Sequence, residues 1–159
     1  MQPVVPLGLV TIWAYYSERD PLVWRAGYVF AAVALPGLLA DIAKPVFGRA
    51  RPELLFQDQI FGFTWSGAHA DHWSFPSGHA VTITALATAL YALYPPLWPA
   101  YLLVALLVVA SRVIIDAHYL SDVIAGAYVG FVFAWALAGA AKQNRVELAL
   151  QPRKITASP

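Results

Sequence analysis

Four stretches of this chain, 22–42, 77–94, 97–115 and 123–141, each run for 18–21 residues with almost no interior charge. A helix that is apolar all round has no face to offer water, and roughly 20 apolar residues is the length that crosses a bilayer. The pattern therefore predicts an all-α, polytopic membrane helical bundle. Composition agrees: 60% of residues are hydrophobic and 12% charged, about half the charged share of a soluble domain. A length of 159 residues suits one domain, 1–159. A fifth apolar run, Val4 to Tyr16, is short for a span and reads as an incomplete or tilted first helix, or a surface segment. No basic segment precedes it, so no cleavable signal peptide is expected.

Several chemistries drop out early. The net charge of +1 gives no reason to expect a nucleic-acid partner. Without cysteine there is no disulfide, thiolate metal site or cysteine nucleophile. Pro36 and Gly37 are placed to kink the first long run. Pro95-Pro96 marks a tight turn, and Ala125, Gly126, Ala127 and Gly130 predict close helix packing in the last run.

The stretch 43–75 is different. It holds Lys44, Arg49, Arg51, Glu53, Asp58, His69, Asp71 and His72, and it reads as a polar loop of some 30 residues. Loops of that length in small domains are often functional. The basic tail 142–159, with Lys142, Arg145, Arg153 and Lys154, is expected in the cytoplasm. Counting spans back puts 116–122 and 43–75 outside and Pro95-Pro96 inside. Arg19 and Arg25 then fall inside, in agreement. Lys44, Arg49 and Arg51 fall outside, against the charge rule, which points to residues kept for chemistry. Five spans would leave the N-terminus outside, and an upstream helix would return it to the inside.

The chemistry centres on Trp73-Ser74-Phe75-Pro76-Ser77-Gly78-His79-Ala80. Pro76 halts the preceding segment and Ser77 caps an apolar helix. The free amides near Gly78 and His79 make an anion site at the positive end of the helix dipole. Two more polar clusters reach the same membrane side: Lys44…Arg51-Pro52 and Ser111-Arg112…His118…Asp122. Charged groups at membrane level are costly and mark function. Lys44, Arg51 and Arg112 beside a helix N-terminus, with Ser77 and Gly78 as further donors, describe a phosphate-binding site. Two histidines supply the rest of a phosphoester cleavage. His118, four residues before Asp122 and on one face if both share a first helical turn, is expected to take its tautomer from that carboxylate and attack phosphorus. His79 is expected to protonate the leaving oxygen. The expected cycle runs through a phosphohistidine that water hydrolyses, with the cations countering charge on the equatorial oxygens.

Lys44-x6-Arg51-Pro52, then Pro76-Ser77-Gly78-His79, then Ser111-Arg112-x5-His118-x3-Asp122 together resemble the three-part signature of the type 2 phosphatidic acid phosphatase superfamily. All three parts are complete, in order, over residues 44–122. The resemblance implies metal-independent hydrolysis of a lipid phosphate without a cofactor, the residue roles just given, and six membrane helices in integral members. Five at most are visible here. The lipid phosphates it admits are undecaprenyl diphosphate, phosphatidylglycerophosphate, phosphatidic acid and a lipid A phosphate. The compact outer loop favours polyprenyl diphosphate, acted on at the outer face of an inner membrane. Two alternatives stand beside this: a vanadate-dependent haloperoxidase sharing the anion cradle, and a non-enzymatic lipid-phosphate binder or transporter. The second would not need a nucleophile and acid pair.

Other polar residues receive plainer readings. Arg49 is expected to be a solvated loop residue or a headgroup contact. Asp116, four after Arg112, is expected to brace it. His69, Asp71 and His72 read as polar loop positions near a headgroup, not as metal ligands. Trp65 and Trp73 read as interface aromatics.

Overall fold

Helix α1 (Pro21–Phe47) is the longest element, at 27 residues, and carries Pro36 and Pro45 inside it. The structure, a computed structural model, describes residues 21–66, 69–143 and 148. The run 4–16 and the tail beyond Gln143, apart from Leu148, lie outside the described residues. After α1 come α2 (Pro52–Asp58), α3 (Gly78–Leu93), α4 (Trp98–Ile114) and α5 (Leu120–Gln143), with 3-10 turns at Ala70–His72 and Pro95–Leu97. There is no named strand among the described residues; one antiparallel bridge joins Arg49 to Phe63. The all-α bundle expected from the apolar runs is what forms.

Local chemistry sets the ends. α1 stops where Gly48 takes the left-handed conformation, φ +57, and its amide donates to the Lys44 carbonyl at 2.9 Å; glycine reaches that conformation without a Cβ penalty. α1 thus outlasts the expected boundary at residue 42 and carries Lys44 in its last turn. Residues 43–75 are also not a featureless loop. They hold the end of α1, the short α2, the Arg49–Phe63 bridge and a 3-10 turn. Phe47, Phe63, Trp65 and Phe75 pin the segment with ring centroids 5.1–6.3 Å apart. Ser77 caps α3, accepting from the Ala80 amide at 3.5 Å.

Three segments, Leu22–Phe47, Pro95–Ile114 and Leu120–Gln143, are long and apolar enough to cross a membrane. α3 is shorter than the sequence suggested. Its 16 residues, at 1.5 Å each, span ~24 Å, because Ser77 and Pro95 bracket it. It forms the centre of the bundle, packing on α1, α4 and α5. Ala80, Val81, Ala85 and Ala89 are fully enclosed, whereas Leu103, Leu106 and Leu107 on α4 face outward, as lipid-facing side chains do.

The closest approach is between α3 and α5, and the glycines of α5 permit it. A Cβ on Gly126 would lie 2.6 Å from the Ser77 carbonyl oxygen, and one on Gly130 would lie 2.2 Å from that of Val81. The small-residue run expected to allow close packing does so, with backbone against backbone. The pair brings the N-terminus of α3 against the N-terminus of α5, which is where the polar clusters meet.

Candidate active site

The helix ends arrange the polar residues. α1 and α4 deliver their C-terminal ends, with Lys44 and Arg112 in their last turns. α3 and α5 deliver their N-terminal ends, with His79 in the first turn of α3 and Asp122 in that of α5. All belong to one site. The Ser77 amide donates to the Asp122 carbonyl at 3.1 Å. The Lys44 ammonium sits 3.1 Å from where a Cβ on Gly78 would be, so the bare glycine leaves it room. The charges of Arg112, Lys44 and Arg51 all act on the His79 imidazole, and those of Arg51, His79 and Lys44 act on His118.

Each cation is held differently. Lys44 Nζ donates to Asp41 Oδ1 at 2.6 Å, one turn back on α1. Arg51 precedes α2 and is fixed by backbone carbonyls: its Nε donates to Ala70 at 3.2 Å and its Nη1 to Ala117 at 3.4 Å. Its own amide donates to the Asp71 carbonyl at 2.9 Å. The 69–72 turn thus serves the site through its backbone. Arg112 Nε donates to Ser111 Oγ at 3.2 Å. The expected brace from Asp116 does not form. α4 ends at Ile114, and Asp116 is exposed in a left-handed turn, φ +53, so the helical i,i+4 spacing no longer holds between them.

His118 lies outside the expected geometry in an instructive way. It precedes α5 instead of occupying its first turn, and it is buried. Its Nδ1 is 2.7 Å from the backbone carbonyl of Ser74 and 3.9 Å from Asp122 Oδ2. The second distance is too long for a hydrogen bond. A carbonyl can only accept, so Nδ1 carries the proton and Nε2 keeps its lone pair. Burial, reinforced by the charges of Arg51, His79 and Lys44, pushes the His118 pKa down to about 4 against the opposing Ser74 bond. The imidazole is neutral at pH 7, the state a nucleophile needs.

Asp122 is engaged elsewhere. The four-residue spacing predicts a bond to His118; instead its Oδ1 accepts from Arg49 Nη1, and its Oδ2 accepts from Ser74 Oγ at 2.6 Å and the Tyr119 amide at 3.0 Å. Three donors satisfy a fully enclosed carboxylate, as burial of a charge requires. Arg49 is the larger surprise. It is not a solvated loop residue but is 8% exposed. Its guanidinium lies over the rings of Phe63, at 5.1 Å, and Tyr119, at 4.5 Å, and it also donates to Ser121 Oγ at 2.7 Å. Ser74, likewise fully enclosed, was not singled out from sequence. The one signal for Arg49 was a third cation on the side where the charge rule disfavours cations. Trp65 is 67% exposed and packs on Phe47 and Phe63, as suits an interface aromatic.

Comparison with known proteins follows the same outline. Residues 25–145, which contain every site residue above, match the model of the PAP2 superfamily. A lipid A 1-phosphatase of Rhizobium etli is 40% identical over 111 residues, covering 70% of this chain and 48% of that protein. A lipid A 1-phosphatase of Rhizobium johnstonii is 39% identical over 111 residues, covering 70% of this chain and 46% of that protein. The chain thus spans about half the length of these curated relatives. No solved structure matches it.

Proposed function

This chain belongs to the PAP2 superfamily, and we propose that it is a membrane lipid phosphatase working through a phosphohistidine on His118. The observation that carries the reading is the state of that ring. It is buried and neutral, its Nδ1 proton is committed to Ser74, and the charges of Arg51, Lys44 and His79 act on it. A neutral imidazole amid fixed cations suits attack on a phosphate and has no evident use in mere retention of one.

In the proposed cycle His118 Nε2 attacks phosphorus in line with the ester oxygen. The P–N bond forms as the P–O bond breaks, and His79 delivers its proton to the departing alcohol. His79, now neutral, takes a proton from water as the water oxygen attacks phosphorus. The P–N bond breaks and inorganic phosphate leaves. Lys44, Arg51, Arg112, the Ser77 hydroxyl and the Gly78 amide offset the charge that gathers on the equatorial oxygens, while the Ser77 amide stays with the Asp122 carbonyl. Asp122, Ser74 and Arg49 touch no reacting atom in this scheme.

The substrate we propose is the 1-phosphate of lipid A. The compact outer loop speaks for polyprenyl diphosphate; 40% identity to a lipid A 1-phosphatase supports lipid A instead. The site is proposed to lie at the outer face of the inner membrane, with Lys142 and the basic tail in the cytoplasm. The test is phosphate release by the purified protein in detergent and EDTA, from lipid A, undecaprenyl diphosphate, phosphatidic acid and phosphatidylglycerophosphate. Lipid A is expected to be the fastest substrate, and His118→Ala and His79→Ala are expected to be inactive. No release from any of the four lipids, or full turnover by His118→Ala, would refute the proposal.

A further inference from the structure

We propose that Arg49 and Ser74 are positioning residues that aim His118, joined to each other through the Asp122 carboxylate. The proposal deepens the reading of His118 as nucleophile and rests on it. Three hydrogen bonds make a closed circuit. Arg49 Nη1 donates to Asp122 Oδ1, Ser74 Oγ donates to Asp122 Oδ2 at 2.6 Å, and the Ser74 amide donates back to the Arg49 carbonyl at 3.1 Å. Ser74 and Asp122 are wholly enclosed, and Arg49 nearly so. From this circuit the Ser74 carbonyl reaches the reacting ring, 2.7 Å from Nδ1. Fixing Ser74 by both its amide and its hydroxyl leaves its carbonyl one direction to point.

Arg49 has a second effect. With three donors in place, the Asp122 carboxylate stays 3.9 Å from His118 Nδ1. Without its counter-cation the carboxylate would gain by turning to the ring and charging it, and an imidazolium cannot attack. The other groups acting on His118 are cationic or become so: Lys44 from α1, Arg51 ahead of α2 and His79 from α3. α4 meets it through the Arg112 carbonyl, which accepts the His118 amide at 3.2 Å. Asp122, 3.9 Å away, is a carboxylate within reach of the ring, and its pairing with Arg49 leaves burial and the cations to keep His118 neutral.

The test is Arg49→Met, Arg49→Lys and Ser74→Ala, measured for kcat, KM and pH profile on the fastest lipid phosphate, with His118→Ala as the blank. Orthovanadate inhibition reports whether each variant keeps its anion pocket. Arg49→Met is expected to lose about a hundredfold in kcat, the scale of a ~1 Å misplacement, with KM nearly unchanged. Its acid limb is expected to move up toward neutral pH. Arg49→Lys restores the charge beside Asp122 and is expected to return the limb to its original place. Ser74→Ala is expected to lower kcat as well. If Arg49→Met fails to fold, the lysine and Ser74 variants decide: loss of kcat in Ser74→Ala with an unmoved limb in Arg49→Lys supports the proposal. Unchanged kcat in Ser74→Ala, or an unmoved limb in a folded Arg49→Met, overturns it while His118→Ala stays inactive. Turnover by His118→Ala would remove the nucleophile, and this proposal with it.

Discussion

Adding one methyl group at Gly126 is expected to damage the chemistry more than the fold, and adding one at Gly130 is expected to do the reverse. Both glycines face α3 backbone, which cannot step aside as a flexible side chain can. Ordinary contact begins at 3.4 Å, so a Cβ at 2.6 Å from the Ser77 oxygen needs 3.4 − 2.6 = 0.8 Å of separation, and one at 2.2 Å from the Val81 oxygen needs 3.4 − 2.2 = 1.2 Å. Overpacking of this kind costs about 1–3 kcal/mol, and Gly130→Ala should lie at the upper end. It meets the Ala85 amide at 3.0 Å as well, a full turn below the site. Gly126→Ala pushes on Ser77 itself, whose amide is tied to the Asp122 carbonyl and whose hydroxyl caps α3. A shift near 0.8 Å at the anion cradle should lower kcat by tens-fold, since ~1 Å costs about a hundredfold. Thermal unfolding in detergent and phosphate release on the same samples separate the two effects. Wild-type kcat in Gly126→Ala together with wild-type Tm in Gly130→Ala would refute the reasoning, because it would mean that the two helices have slack between them.

The pH response follows from His118. Its pKa of about 4 in the folded protein, against 6.5 for a free imidazole, places the acid limb of kcat/KM near pH 4; a limb at 6.5 would contradict the burial argument. Between those values the unfolded chain binds the extra proton, so stability falls as pH drops from 6.5 to 4, by ~3 kcal/mol at most. Urea unfolding at pH 7 and pH 4.5 measures this, and equal stability would count against it. Alkaline quenching during turnover should trap phosphate on His118 Nε2 as 3-phosphohistidine, because Nδ1 is held by Ser74. Recovery of the 1-isomer would place the ring the other way round.

Much of this molecule can be read along the chain. Lys44, Arg51, His79, Arg112 and His118 stand out because each is polar beside a long apolar run, and such residues are costly near lipid unless they do something. Ser77 and Gly78 stand out because a helix start has a local signature of proline, hydroxyl and glycine. Gly126 and Gly130 announce close packing without naming the partner. The short α3 was harder to foresee, since residues 77–94 are apolar throughout and length depends on where the ends are drawn.

The partners of the polar groups were not legible. Asp122 lies 4 residues from His118, 48 from Ser74 and 73 from Arg49, and helical spacing argues for the nearest. The folded chain chooses the distant two. α5 begins only after His118, so their shared helical face never forms, while the close meeting of α3 and α5 brings Ser74 and Arg49 to the carboxylate. Sequence settles which residues are too expensive to be idle, because that cost is local. Which of them touch is set by where helices end and how near their backbones come, and those are properties of the packed bundle.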